Sequence, residues 1–270
     1  MAVIVCCSAT GSPGATTTSL GLALCWPRDV LLADCDREPS QTVQVGYLRG
    51  YDVGGRGLGA LARSHREGGN LRTEVWHQAV PLSQTDEFKR RFLPGFSHAR
   101  APGLFTAVWP DLVSAFSSLD RTGIDVVVDA GRVGRDGLPT PVVVEADVIL
   151  VCVRSSLRSL AGLRLHLPGL LDQVASHPGH AAVGLALIGE GHPYTASEIT
   201  AQFQCPVWVT IAHDPAVAAV LSDGEPPGRK FAESHLNRSF RAATSRLSQR
   251  IDQTRQVLDA PRRVNEAVAS

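Results

Sequence analysis

Residues 10–18 read Thr-Gly-Ser-Pro-Gly-Ala-Thr-Thr-Thr. Gly11 and Gly14 sit where an apolar run ends, and Thr16 and Thr17 sit where a helical pattern begins. Glycines at such a junction let backbone N–H groups curl round a phosphate, and the helix N-terminus adds its positive dipole end. The spacing fits G-x-x-x-x-G-K-[ST], and more closely the variant in which a lysine precedes G-G-x-G-K-[ST]-[ST]. Gly11, Ser12, Pro13, Gly14, Ala15, Thr16 and Thr17 are therefore the candidate phosphate-binding residues. Two charges are missing from the pattern. Ala15 stands where the phosphate lysine belongs, and Thr10 stands where the variant's leading lysine belongs. Taken alone, the same spacing also describes a glycine-rich strand-to-helix turn capped by threonines.

Acids further along give the loop a context. A second apolar run ends in Asp34-Cys35-Asp36, and a later one reads Asp125-Val126-Val127-Val128-Asp129. Loop, D-x-D and strand-end aspartate occur in the order a phosphate-loop ATPase requires. There the strand-end acid holds magnesium through water and the D-x-D acid positions the attacking water. Asp36 and Asp129 are thus the candidate catalytic acids, and Asp129 is a candidate metal ligand. A charge-assisted hydrogen bond from a lysine is worth about 1.5–3 kcal/mol, and more against transition-state charge. Ala15 offers only its backbone N–H. Arg37 and Arg132 each follow a site acid and are candidates to replace the lost charge, or are plain structural arginines.

These residues need a scaffold. Apolar runs at 3–7, 30–33, 125–129, 148–153, 183–188 and 207–211 read as strands covered on both faces, hence a parallel sheet. Helical stretches at 16–25, 104–119, 157–174 and 196–203 separate them. The expected fold is a doubly wound, mostly parallel α/β sheet. Residues 46–102 are more polar, with one expected helix at 58–66 and short strands at 73–80 and 90–93. They read as an elaboration of the sheet.

The expected organisation is a phosphate-loop domain at 1–233, a C-terminal helix at 234–259 and a flexible tail at 260–270. Phe240, Ala243, Leu247, Ile251, Thr254 and Leu258 form one narrow stripe on that helix, flanked by Arg241, Arg246, Arg250 and Arg255. The stripe suits packing on its own domain, a partner helix, or a membrane surface.

The chain has 270 residues, enough for one large α/β domain, with 44% hydrophobic residues and zero formal net charge. That balance gives no direct nucleic-acid signal. Lys89 and Lys230 are its two lysines. None of the six cysteines forms a C-x-x-C pair, which suits small core residues in a reducing compartment. No apolar run is long enough to span a bilayer. The expected location is cytoplasmic.

With the loop, 31–36, Val127-Val128-Asp129-Ala130-Gly131-Arg132, 146–151 and Arg154-Ser155-Ser156 in view, the chain resembles the ParA/MinD superfamily of deviant Walker ATPases over roughly residues 2–247. It looks most like the actinobacterial MinD-like, pilus-assembly-like branch, with a degenerate Walker A loop. The resemblance implies ATP or ADP with Mg²⁺ as ligand, Thr16 on the metal, Asp36 in the switch region and Asp129 as the Walker B acid. It implies a homodimer and a protein partner from an assembly, secretion or positioning system. Residues 189–198 match a family loop near the nucleotide base, without the family's asparagine. The expected function is an ATP-binding regulator or positioning factor with slow or absent hydrolysis. The alternative is a degenerate pseudo-ATPase that acts as a protein-binding adaptor without nucleotide.

Overall fold

The structure is a computed structural model that describes residues 2–11, 13–83, 87–177 and 181–259, without the side chains of 120 and 254–259. Among these residues a single eight-stranded sheet runs in the order β3-β4-β2-β5-β1-β6-β7-β8. The strands are β1 Val3–Ser8, β2 Val30–Asp34, β3 Val80–Pro81, β4 Arg90–Leu93, β5 Asp125–Arg132, β6 Val148–Arg154, β7 Ala182–Ile188 and β8 Val207–Ile211. All neighbours are parallel except β3 and β4.

Alternation along each strand divides the core. Val3, Val5 and Cys7 face one layer, while Ala2, Ile4 and Cys6 face the other. The first layer is covered by α2 Leu58–Arg66, α3 Leu71–Glu74, α4 Trp109–Ser118, α5 Thr140–Glu145, α6 Leu157–Ala175 and α7 Ala196–Phe203. The second is covered by α1 Ala15–Cys25, α8 Pro215–Ser222 and α9 His235–Asp259. Strands buried on both faces explain why their sequences are continuous apolar runs. This is the doubly wound fold expected from the sequence.

Three local readings need correction. Residues 73–80 do not form a strand. Asn70 accepts a hydrogen bond from the Arg72 amide and caps the short helix α3, and only Val80 and Pro81 reach the sheet edge. The helix expected at 104–119 starts at Trp109, with Pro110 in its first turn. Asp129 does not end its strand: β5 continues to Arg132 past a bulge between the Cys6 and Ser8 pairings, where Gly131 takes φ 63°.

The C-terminal stripe packs inward. Phe240, Ala243, Leu247 and Ile251 are buried with Leu236 against α1 and β8. A Cβ at Gly21 of α1 would lie 2.3 Å from the Phe240 ring, so glycine is what lets α9 come this close. The Arg250 guanidinium stacks 4.3 Å from the Trp208 ring centroid. The side chains of Thr254 and Leu258 lie outside the described residues. All six cysteines are free, and all but the half-buried Cys25 are buried.

Candidate phosphate-binding site

β1 delivers the loop and α1 receives it. Gly14 precedes α1 with φ 105°, a conformation side chains avoid, and Gly11 takes φ 62°. The first N–H of α1 with a helical acceptor belongs to Thr18, which donates to the Gly14 carbonyl at 2.8 Å. The amides of Ala15, Thr16 and Thr17 have no acceptor among the described residues, as the geometry of a helix start requires. They border a cavity of about 450 Å³ lined by Ser8, Gly11, Pro13, Gly14, Ala15, Thr16, Thr17 and Asp36, with Arg132 and Arg154 beside them. Pro13 contributes no N–H to this wall. Ser12 lies outside the described residues.

The two acids of the 125–129 segment have different surroundings. Asp125 is fully buried and occupied: it accepts from the Ala2 amide at 2.6 Å and the Trp26 indole at 2.7 Å, and pairs with Arg28 at 2.8 Å. It ties the start of β1 to the end of α1. Asp129, four residues on, sits beside the loop. The Thr16 hydroxyl lies near its carboxylate and pulls its pKa down, and the Gly131 amide donates to its Oδ1 at 3.2 Å. Asp129 is not itself in the cavity wall. It is bonded to that wall through the Gly131 amide, with Thr16 close by.

Burial pushes the Asp129 carboxyl up to about 6, against the pull of the Thr16 hydroxyl. Asp34, its neighbour across the β2–β5 ladder, is pushed up to about 8 by burial and then by the Asp129 charge. Sequence reasoning left Asp34 out of the site, and burial beside Asp129 is what makes it noteworthy. Asp36 faces the cavity. Its carboxyl is raised by burial, while the Glu38 amide, 2.8 Å from Oδ1, works the other way. A Cβ at Gly131 would lie 2.0 Å from the Asp36 carboxylate, so a glycine there makes room for this acid.

The arginines suggested as substitutes for the lysine are both engaged. Arg37 turns away, its Nη2 donating to the carbonyls of Val133 and Gly137. Arg132 lines the cavity but pairs with Glu38 at 3.0 Å. Thr10 also points elsewhere. It packs on α6, where a Cβ at Gly162 would lie 2.0 Å from its hydroxyl.

The rest of the cavity wall was not anticipated. It comes from Ser40 and Thr42, in the segment leading to a π-turn at Val43–Tyr47, and from Pro215, Ala218, Ser222 and Asp223 at α8. Asp214 caps α8 by accepting from the Val217 amide, and Pro215 follows at the first helical position. That Asp-Pro start was readable. The loop 189–198 stays out of the main cavity, its Tyr194 held by Ser155 through both backbone N–H and carbonyl. A smaller crevice beside Gly14 and Thr17 is bounded by Ile188, Ile211 and His213.

Among the described residues, no group of three or more His, Cys, Asp or Glu side chains is placed to hold a metal ion unaided. Magnesium in phosphate sites is commonly held by one or two side chains together with ligand phosphates, so the Thr16–Asp129 pair suits that mode. Among the described residues no helix is long and apolar enough to cross a membrane.

No protein-family model and no curated protein matches the sequence. Solved structures do match. A ParA family ATPase from Chlorobium tepidum TLS superposes with a TM-score of 0.67 at 14% identity, covering 90% of this chain and 98% of its own. The cell division ATPase MinD of Pyrococcus furiosus gives 0.66 at 17% identity, covering 92% and 98%. MinD of Pyrococcus horikoshii, complexed with Mg-ADP, gives 0.65 at 16% identity, covering 92% and 96%. The chain has the fold of the ParA/MinD ATPases.

Proposed function

We propose that this protein is a nucleotide-binding regulator or positioning factor of the ParA/MinD kind, binding ATP or ADP with Mg²⁺ and hydrolysing ATP slowly or not at all. One observation carries the reading: Ala15, Thr16 and Thr17, whose amides have no acceptor among the described residues, line a cavity beside which the Thr16 hydroxyl and the buried Asp129 carboxylate lie near each other. Three orphan donors at a helix start suit phosphate oxygens. A hydroxyl and a neighbouring carboxylate are hard oxygen donors, which suits magnesium. Thr16 and Asp129 would hold the ion, Asp36 would face the terminal phosphate, and residues 11–17 would wrap the chain of phosphates. Magnesium, when bound, neutralises phosphate charge.

Slow turnover follows from Ala15. Its side chain is buried and carries no charge to meet developing negative charge on the phosphate. A homodimer and a protein partner from an assembly, secretion or positioning system belong to the same proposal, as does a cytoplasmic location. The MinC:MinD complex of Aquifex aeolicus, which shares the fold at 16% identity, supports a role through protein contact. The adaptor reading without nucleotide draws on the same loop: Pro13 lacks an N–H and Ala15 lacks a charge. Calorimetric titration with ADP and ATP, with and without Mg²⁺, separates the two. Saturable binding tightened by Mg²⁺ supports the nucleotide reading, and no binding supports the adaptor.

A further inference from the structure

Arg154 ends β6 beside the loop. Its backbone is fixed on both sides: its own amide donates to Ser159 Oγ at 3.0 Å, and the Ser155 amide donates to the Ile188 carbonyl at 2.9 Å. Its Nε turns to the Pro13 carbonyl at 3.3 Å, which brings the guanidinium to the rim of the loop. The same side chain borders both the loop cavity and the crevice beside Gly14. Among the described residues no carboxylate pairs with it, and its two terminal nitrogens have no partner. The other arginine on the cavity wall, Arg132, is paired with Glu38, and Arg37 is spent on carbonyls.

We infer that Arg154 is the phosphate-binding cation of this site, supplying in cis the charge that Ala15 does not. The inference rests on the nucleotide-binding reading above and names the residue that makes the reading workable. A guanidinium held by one edge presents its remaining N–H groups as a fork, which matches two oxygens of a phosphate. Its ligand is the diphosphate portion of a nucleotide, and adenosine without phosphates gains nothing from it.

The test is calorimetry with Mg-ADP, pyrophosphate and adenosine on the wild-type chain, Arg154→Gln, Arg154→Lys and the double variant Arg154→Gln/Ala15→Lys. Arg154→Gln should weaken Mg-ADP and pyrophosphate about 10- to 100-fold, the range of a charge-assisted hydrogen bond. It should leave adenosine unchanged and flatten the dependence of affinity on salt. Arg154→Lys should keep part of the affinity. Ala15→Lys should restore binding in the Arg154→Gln background, because it returns the charge without the Pro13 contact. Failure of that rescue would reduce Arg154 to a loop brace and overturn the inference.

If wild type and Arg154→Gln bind Mg-ADP equally, the inference falls and the nucleotide reading stands. If wild type binds neither Mg-ADP nor pyrophosphate, both fall. Should Arg154→Gln not fold, phenylglyoxal labelling of the wild-type chain decides. Mg-ADP and pyrophosphate should shield Arg154, adenosine should not, and an unshielded Arg154 overturns the inference.

Discussion

The hydroxyl of Thr16, in the first turn of α1, lies near the carboxylate of Asp129 in β5 and works against the upward push of burial on that acid. This juxtaposition brings the start of the helix, whose first amides have no acceptor among the described residues, next to the strand that carries the buried acid. It places a candidate metal site at the edge of the loop cavity.

Asp129→Ala should therefore weaken nucleotide binding in the presence of Mg²⁺ about 10-fold or more, a loss typical of one charged interaction, and change Mg²⁺-free binding much less. Paired titrations with Mg²⁺ and with EDTA check this. Equal losses in both would assign Asp129 a structural role.

The buried acids predict a pH dependence of stability in the ligand-free protein. Asp34 is raised to about 8 and Asp129 to about 6, both above their unfolded values near 4. The folded state therefore holds these protons more tightly than the unfolded chain does. Their contribution is fully present below pH ~4 and is lost as pH rises through about 6 and then about 8. Asp34→Asn, which cannot titrate, should flatten the upper part of that decline. Melting temperatures from pH 5 to 9 measure it, and superimposable curves for the two proteins would contradict the assignment.

Gly131 makes room for Asp36. Gly131→Ala would combine a positive φ with a Cβ 2.0 Å from the carboxylate. It should cost about 1–3 kcal/mol of stability and displace Asp36 from the cavity. Denaturant titration reads the first effect and ATP turnover the second. Wild-type values in both would show that the segment carrying Asp36 yields freely.

The C-terminal helix belongs to the core as far as Ile251. Phe240→Ala should cost about 3–5 kcal/mol, because it empties the volume against Gly21. Truncation after Gln249 removes buried Ile251 and the Arg250–Trp208 stack, and should lower the denaturant midpoint. An unchanged midpoint would make the last turns peripheral.

Much of this was legible because burial writes itself into sequence. The apolar runs read at 30–33, 148–153 and 207–211 are the strands β2, β6 and β8, and α2 and α7 occupy the stretches read as helices at 58–66 and 196–203. The phosphate-loop motif runs from the end of β1 into the first turn of α1, as its glycines required. Positions set by contacts between distant segments were not legible. Nothing near residue 154 announces a guanidinium over Pro13, and nothing near Thr10 announces Gly162. The strand read at 73–80 failed because local capping by Asn70 outweighed its β-branched residues. Arg37 and Arg132 looked promising by sequence adjacency to acids, but adjacency does not say which way a long side chain turns.

The most direct measurement is nucleotide binding and turnover on the wild-type chain. The account predicts saturable ADP and ATP binding that Mg²⁺ tightens, with steady-state ATP hydrolysis far below the median enzyme rate of ~10 s⁻¹. Turnover near that median would contradict the role given to Ala15, and the absence of any nucleotide binding would contradict the account as a whole.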